Sequence, residues 1–301
     1  VPARHRTLRL SRPLDLALTL GRLRRGPHDR CLRLAPAEAL RATRTPTGPA
    51  TLAIAVRGDR AEATAWGPGA DHALDGLPDL LGEHDRPDDL VTDHPVVADL
   101  RRRLPGLRLG RAGPVVEVMV PVVIEQRVQS VEAYRSYASL VDRFGEPAPG
   151  PHREVRLPPP PERLAGLRYP SYHPAGIERR RAEIVRTVAA RAAALERLAA
   201  LGAPTFEARA ASLPGVGPWT AAETAATALG DPDTVVTGDF GLPGLVAWNL
   251  AGERAADDTR MLELLEPFRG QRGRVLRLLR AGGRYPPRRA PRAATRAIAS
   301  H

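Results

Sequence analysis

The spacing of hydrophobic positions changes along the chain. Leu52, Ile54 and Val56 alternate with small residues, Arg57 to Arg60 holds the turn pair Gly58 and Asp59, and a second alternating run leads to Trp66. A period of two interrupted by such a pair predicts a β-hairpin. Helical spacing flanks it at Pro13 to Leu23 and Asp71 to Leu81, so residues 1–92 read as a small α/β domain on an antiparallel sheet.

Beyond residue 92 the period becomes helical. Helices are predicted at Val96 to Leu104, within a linking segment 93–112, and then at Val115 to Ile124 and Val131 to Phe144, with Pro121 kinking or ending the first of that pair. Pro147 to Pro161, with four successive prolines at its end, reads as a stiff extended spacer on the surface without core-forming capacity. Ile177, Ile184, Val188, Leu195 and Leu198 then mark one amphipathic helix that stops at Gly202 and Pro204. Shorter helices follow at Phe206 to Ser212, Trp219 to Leu229, Leu245 to Leu250, Thr259 to Glu266 and Arg274 to Arg280. The fold class expected is α+β and mostly α: the sheet domain, a helical domain over 113–230, and a C-terminal helical subdomain over 231–301.

Composition narrows the chemistry. The longest strongly apolar run, Gly113 to Ile124, contains Glu117 and is far shorter than the ~20 residues of a membrane-spanning helix. No membrane segment and no secretory signal is read, so a cytoplasmic location, with the nucleoid as its site of action, is the expectation. Cys31 stands alone, which excludes an iron–sulfur cluster and cysteine-bound structural zinc. All 45 basic side chains are arginine, and a chain without lysine cannot form a lysine Schiff base.

Charge is unevenly placed. The formal net charge is +11, and after Glu266 no acidic residue remains while Arg269, Arg272, Arg274, Arg277, Arg280, Arg284, Arg288, Arg289, Arg292 and Arg296 follow. Such a segment suits a polyanion, because guanidinium donates paired hydrogen bonds to phosphate; a solubilising tail is the plainer alternative. Asp71 to Asp93 is acidic, and its pairs Asp71 with His72, His84 with Asp85 and Asp93 with His94 match no metal-ligand spacing, so it reads as a solvated acidic surface.

The most informative stretch is Leu213-Pro214-Gly215-Val216-Gly217-Pro218-Trp219, between two helical segments. Two glycines around one aliphatic residue make a tight turn and leave backbone N–H groups at the next helix's N-terminus, where an anion such as a DNA phosphate binds without sequence readout. Further along, Thr237-Gly238-Asp239-Phe240 places an aspartate before another helical segment. Taken alone, the first motif is a helix–helix turn and Asp239 a helix N-cap.

Together these motifs resemble the helix-hairpin-helix DNA glycosylase superfamily, and within it the 3-methyladenine DNA glycosylase II branch. The resemblance implies that Gly215, Val216 and Gly217 form the hairpin that binds the DNA backbone and that Asp239 is the catalytic carboxylate. Trp219 stands where strand-cleaving relatives carry a nucleophilic lysine, which implies a monofunctional enzyme that leaves an abasic site. The loop Glu125-Gln126-Arg127-Val128 falls at the family's DNA-wedging position, so Gln126 and Arg127 join Arg269, Arg272 and Arg274 as expected DNA contacts.

A base must be flipped into a pocket before it is cleaved, and a cationic alkylated base gains from aromatic faces. Trp219, Phe240 and Tyr172 are the expected pocket aromatics. His173 is placed at the pocket or on a phosphate, against the alternative of a structural histidine, and the stretch Ser171 to Pro174 has no counterpart in the best-known members. The resemblance implies a monovalent cation at the hairpin; otherwise no cofactor or metal is expected. The partner expected is double-stranded DNA bearing a damaged base, bound by a monomer. Two rivals remain open: a non-catalytic hairpin DNA-binding protein, and a glycosylase for bulky or deaminated lesions, because Gly241, Pro243 and Gly244 weaken the helix after Asp239 and leave room for a wider pocket.

Overall fold

A computed structural model describes residues 2–287. The N-terminal part contains β1 (Arg4–Arg9), α1 (Leu16–Leu20), β2 (Leu32–Leu34), β3 (Glu38–Thr45), β4 (Gly48–Arg57), β5 (Arg60–Trp66), α2 (Ala70–Asp75) and α3 (Leu77–Leu80). The strands form an antiparallel sheet in the order β1-β5-β4-β3-β2. The expected hairpin is β4–β5: Arg57 opposes Arg60, so Gly58 and Asp59 form a two-residue loop, and Gly58 takes the φ of +60° that such a loop asks of its first residue. Alternation then sends Leu52, Ile54, Ala61, Ala63 and Ala65 to one face, where Leu16, Leu20, Leu74, Leu77 and Leu81 cover them.

The remaining elements are mostly helical: α4 (Pro95–Arg103), α5 (Val115–Ile124), α6 (Ser130–Phe144), a small pair β6 (Glu146–Pro147) and β7 (Arg156–Leu157), then α7 (Pro161–Gly166), α8 (Tyr169–Tyr172), α9 (Arg179–Ala190), α10 (Ala192–Ala199), α11 (Ala203–Ala210), α12 (Pro218–Ala228), α13 (Leu242–Ala251), α14 (Asp258–Leu265) and α15 (Arg272–Gly282). Among these described residues no helix is long and apolar enough to cross a membrane.

Two helical cores result. One gathers α5, α6 and α9 to α12 around Met119, Val123, Leu140, Val185 and Phe206. The other gathers α4 and α13 to α15 around Leu100, Val246, Met261 and Leu279. Trp219 packs against both, so the seam between them runs beside its ring. The sheet is tied to α5 by partly buried Glu117, which accepts hydrogen bonds from Thr43 Oγ1 (2.6 Å) and the Arg44 backbone N–H (2.6 Å).

Four sequence expectations are corrected. α5 is not ended by Pro121 but continues to Ile124: all ten of its residues except Glu117 are buried, and that packing offsets the one backbone bond a proline removes. The proline-rich segment is not a bare surface spacer, because Ala148, Val155 and Leu157 form a small core with Ala42 and β7 pairs with β6. The long amphipathic helix is two helices, α9 and α10, broken at Arg191; Gly202 caps α11, with Pro204 in its first turn, where the missing N–H costs nothing. The acidic stretch is not wholly solvated, since Asp85 is buried against Arg274.

Candidate active site

The hairpin is built by local turn chemistry. The Val216 N–H donates to Leu213 O (3.0 Å), with Pro214 and Gly215 between them and Gly215 at φ +81°, the sequence and geometry of a type II turn. Gly215 has a second reason to be glycine: a Cβ there would lie 2.3 Å from Ile184 Cγ1. Val216 points inward at 3% exposure, so its side chain anchors the turn in the core and leaves its backbone alone for a ligand. Gly217 is the N-cap of α12 with no side chain capping it, and Pro218 follows as N1. The first-turn N–H groups of Trp219 and Thr220 are therefore left for an external acceptor.

Gln126 links this turn to the loop after α5, donating from Nε2 to Gly215 O (3.1 Å) and Thr220 Oγ1 (2.8 Å). Arg127, beside it, is exposed and is the one non-glycine residue with positive φ (58°) among the described residues. Arg181, almost completely buried on α9, donates to Ile124 O (2.7 Å) and so braces the start of that loop.

Asp239 sits at the N-terminus of α13. Its Oδ1 accepts the backbone N–H groups of Gly241 and Leu242, both at 2.9 Å, so it closes the turn that leads into the helix, whose N-cap is Gly241 and not Asp239. Those bonds hold one carboxylate oxygen, and Asp239 lines an open pocket of about 380 Å³ together with Trp219, Tyr134, Tyr285, Leu242 and charged groups. The pocket lies between α12, α13 and α15 on one side and residues 21–25, after α1, on the other. Pro243 is accommodated in the first turn of α13, and Gly241 is its N-cap, so these residues serve the helix start rather than weaken its interior.

The charged lining is a network that sequence pattern alone did not reveal. Arg22 bonds Glu223 at 2.5 Å, Arg25 bonds Glu125 at 2.8 Å, Arg280 bonds Glu223 at 3.1 Å, and the other end of Arg280 lies 3.6 Å from Asp239 Oδ2. Burial pushes the Glu223 carboxyl up, but Arg22 and Arg280 beside it outweigh burial and hold it down at about 2. Glu125 goes the other way: burial raises it, with Arg25 opposing and Glu223 adding to the rise. One signal was present in the sequence, for Glu223 stands four residues after Trp219 in an otherwise small-residue helix, on the same face. Nothing local marked Arg22 or Arg25, and Arg280 stood out only as one of the C-terminal arginines suited to a polyanion, whereas the structure turns it into the pocket against Glu223.

Of the expected pocket residues, Trp219 and Asp239 line the pocket together. Tyr172 does not: it is fully buried in the first helical core, donating from its hydroxyl to Leu164 O (2.7 Å). Phe240 points away into solvent, fully exposed. His173 is outside the pocket, its Nδ1 3.1 Å from the Tyr169 hydroxyl. Among the expected phosphate contacts, Arg274 is buried in its ion pair with Asp85 and cannot reach DNA. Arg272 is tied to Asp233, and Arg269, though exposed, pairs with Glu266. Arg288, Arg289, Arg292 and Arg296 lie outside the described residues.

No protein-family model matches the chain, and no curated protein matches it by sequence. Solved structures do match by shape. A 3-methyladenine DNA glycosylase from Archaeoglobus fulgidus superposes with a TM-score of 0.73 at 19% identity, over 91% of this chain and 97% of that one. The 8-oxoguanine glycosylase/lyase of Clostridium acetobutylicum, in complex with double-stranded DNA, gives 0.70 at 11% identity over 93% and 96%. A DNA-3-methyladenine glycosidase from Bacillus halodurans gives 0.50 at 21% identity over 65% and 89%. The first two of these span more than nine-tenths of this chain, too much to leave out the sheet or either helical core, and the chain has the fold of the helix-hairpin-helix DNA glycosylases.

Proposed function

We propose that the protein is a monofunctional DNA glycosylase that hydrolyses the N-glycosidic bond of alkylated purines, of the 3-methyladenine and 7-methylguanine type, after the nucleotide is flipped out of duplex DNA. The observation that carries this reading is Asp239: a carboxylate held through Oδ1 by two backbone N–H groups, in the lining of a base-sized pocket beside Trp219. A binding module has no use for a fixed carboxylate in a pocket. The branch is supported by two of the structural neighbours bearing the 3-methyladenine name.

In this scheme the hairpin holds a phosphate on the free N–H groups of Trp219 and Thr220, and the loop carrying Gln126 and Arg127 fills the gap left in the duplex. As the C1′–N bond breaks, its electron pair leaves with the base and C1′ becomes oxocarbenium-like, which the Asp239 carboxylate stabilises. Water then adds to C1′, and Asp239 takes its proton. A cationic alkylated purine departs as a neutral base and needs no general acid. With Trp219 where a lysine nucleophile would stand, and no lysine in the chain, the product is an abasic site. Leu213 O and Gly215 O each accept one hydrogen bond and keep a second lone pair, which suits a monovalent cation there; it would supply charge neutralisation next to phosphate.

The charged lining favours one second reading, a glycosylase for deaminated bases, because Arg22, Arg25 and Arg280 offer donors to a base edge rich in carbonyl oxygens. Both readings are tested by incubating methylated and hypoxanthine-containing duplexes with the wild type and Asp239→Asn, collecting free base and treating the DNA with alkali. Methylpurine release by the wild type alone, with alkali-labile sites, supports the first. Hypoxanthine release without methylpurine release supports the second, and DNA binding with no release from either leaves a binding protein.

A further inference from the structure

We infer that Arg280 is a positioning residue for Asp239, and that Glu223, pinned from the opposite side by Arg22, keeps Arg280 from closing onto the carboxylate. The inference rests on the reading of Asp239 as the catalytic carboxylate and assigns the reaction a residue that no sequence motif marks.

The two oxygens of Asp239 are held differently. Oδ1 is tethered by the Gly241 and Leu242 N–H groups, which leaves the direction of Oδ2 to its other neighbours. Oδ2 has the Arg280 guanidinium 3.6 Å away, inside ion-pair range but beyond a direct hydrogen bond, so the cation draws Oδ2 to one side of the pocket that both residues line without occupying a lone pair. A free arginine at that distance would swing in and bond Oδ2, cancelling much of the field the carboxylate offers to a developing cation. Arg280 is not free: its Nη1 bonds both oxygens of Glu223, at 3.1 and 3.4 Å. Glu223 in turn is held by Arg22 Nη2 at 2.5 Å, and all three side chains are at most about a quarter exposed.

The chain Arg22–Glu223–Arg280–Asp239 therefore alternates in sign and is neutral overall. It also crosses the molecule. Arg22 follows α1 beside the sheet, Glu223 is on α12, Arg280 is on α15, and Asp239 precedes α13. One turn before Arg280, Arg277 donates to Leu18 O and locks α15 against the same segment that carries Arg22. The sheet domain thus has a physical link to the reacting centre, although it contributes no part of the hairpin.

The experiment measures single-turnover base release and DNA dissociation constants for the wild type, Asp239→Asn, Arg280→Met, Arg280→Lys and Asp239→Asn/Arg280→Met, with thermal melts on each. Arg280→Met is expected to slow base release by about tenfold or more, equivalent to roughly 1.4 kcal/mol of barrier, with DNA affinity changed less than twofold. Arg280→Lys, which keeps the charge and reach, restores part of the rate. Adding Arg280→Met to Asp239→Asn costs nothing further, because Arg280 acts through that carboxylate. A wild-type rate in Arg280→Met, or a multiplied loss in the double variant, overturns the inference while the reading of Asp239 stands. A wild-type rate in Asp239→Asn overturns that reading itself. Should Arg280→Met fail to fold, Arg280→Lys and Glu223→Gln carry the test: Glu223→Gln, by releasing Arg280 onto Oδ2, slows base release at unchanged DNA affinity, and a wild-type rate there rejects the device.

Discussion

Asp85 and Arg274 meet as a buried ion pair, their side chains 5% and 2% exposed, joining the acidic segment after α3 to the first turn of α15. Asp85 also accepts the Leu109 N–H (2.9 Å), and Arg274 Nε donates to Gln271 Oε1 (2.7 Å), so neither charge is left without partners. Removing one member leaves the other buried and unpaired, which costs about 3–5 kcal/mol. Arg274→Met is therefore expected to lower unfolding free energy by that order in urea titrations. At a temperature where the variant is folded, the salt dependence of its DNA affinity should match the wild type. A flatter salt slope with unchanged stability would return Arg274 to the phosphate-contact role that its sequence position suggests.

The two hairpin glycines should fail differently. Gly215→Ala combines an unfavourable φ of +81° with a Cβ 2.3 Å from Ile184, so the turn must move; lower melting temperature and loss of DNA binding are expected together. Gly217, at φ −93° with open space where a methyl group would lie, accepts alanine without distortion. Its melting temperature should stay at the wild-type value, so any loss of affinity in gel-shift titrations would measure the close approach of phosphate.

Tyr172 and Trp219 offer a paired test of what lines the pocket. Tyr172→Phe removes a buried hydrogen bond to Leu164 O and is expected to cost roughly 1 kcal/mol of stability while base release stays unchanged. Trp219→Ala removes a ring that faces both the pocket and the seam between the helical cores, so base release should fall by more than stability alone accounts for. Comparing single-turnover rates at matched folded fractions separates the two.

Glu223 should make the fold acid-sensitive. Its carboxyl is held at about 2 in the folded protein against an ordinary 4.5, so between those values the unfolded chain binds more protons. The stabilisation is complete above about pH 4.5 and is lost as pH falls towards 2. Denaturant unfolding followed across that window should show stability falling with acid, and Glu223→Gln should flatten that slope while lowering stability at neutral pH.

Much of the architecture was legible from local pattern. The β4–β5 hairpin follows from alternation interrupted by Gly58 and Asp59. The helix–turn–helix around Pro214 and Gly215 follows from turn chemistry contained within seven residues, and Asp239 at a helix start follows from a carboxylate bonding N–H groups two and three residues ahead. Each of these is decided by atoms close in sequence, which is why reading residues in order found them.

The charged interior was decided by tertiary structure alone. Arg22 and Glu223 are 201 residues apart, and Arg274 and Asp85 are 189 apart, so no window along the chain contains either pair. Periodicity shows that a face is apolar or charged but not which element will cover it: α7 and its neighbours enclose Tyr172, the acidic segment closes over Arg274, and Phe240 is left uncovered beside the carboxylate. The sequence by itself determined a tight helix–helix turn and an aspartate at a helix start; the packing of the sheet and two helical cores determined which arginines face that aspartate, because long-range electrostatic partners exist only once distant elements have been brought together.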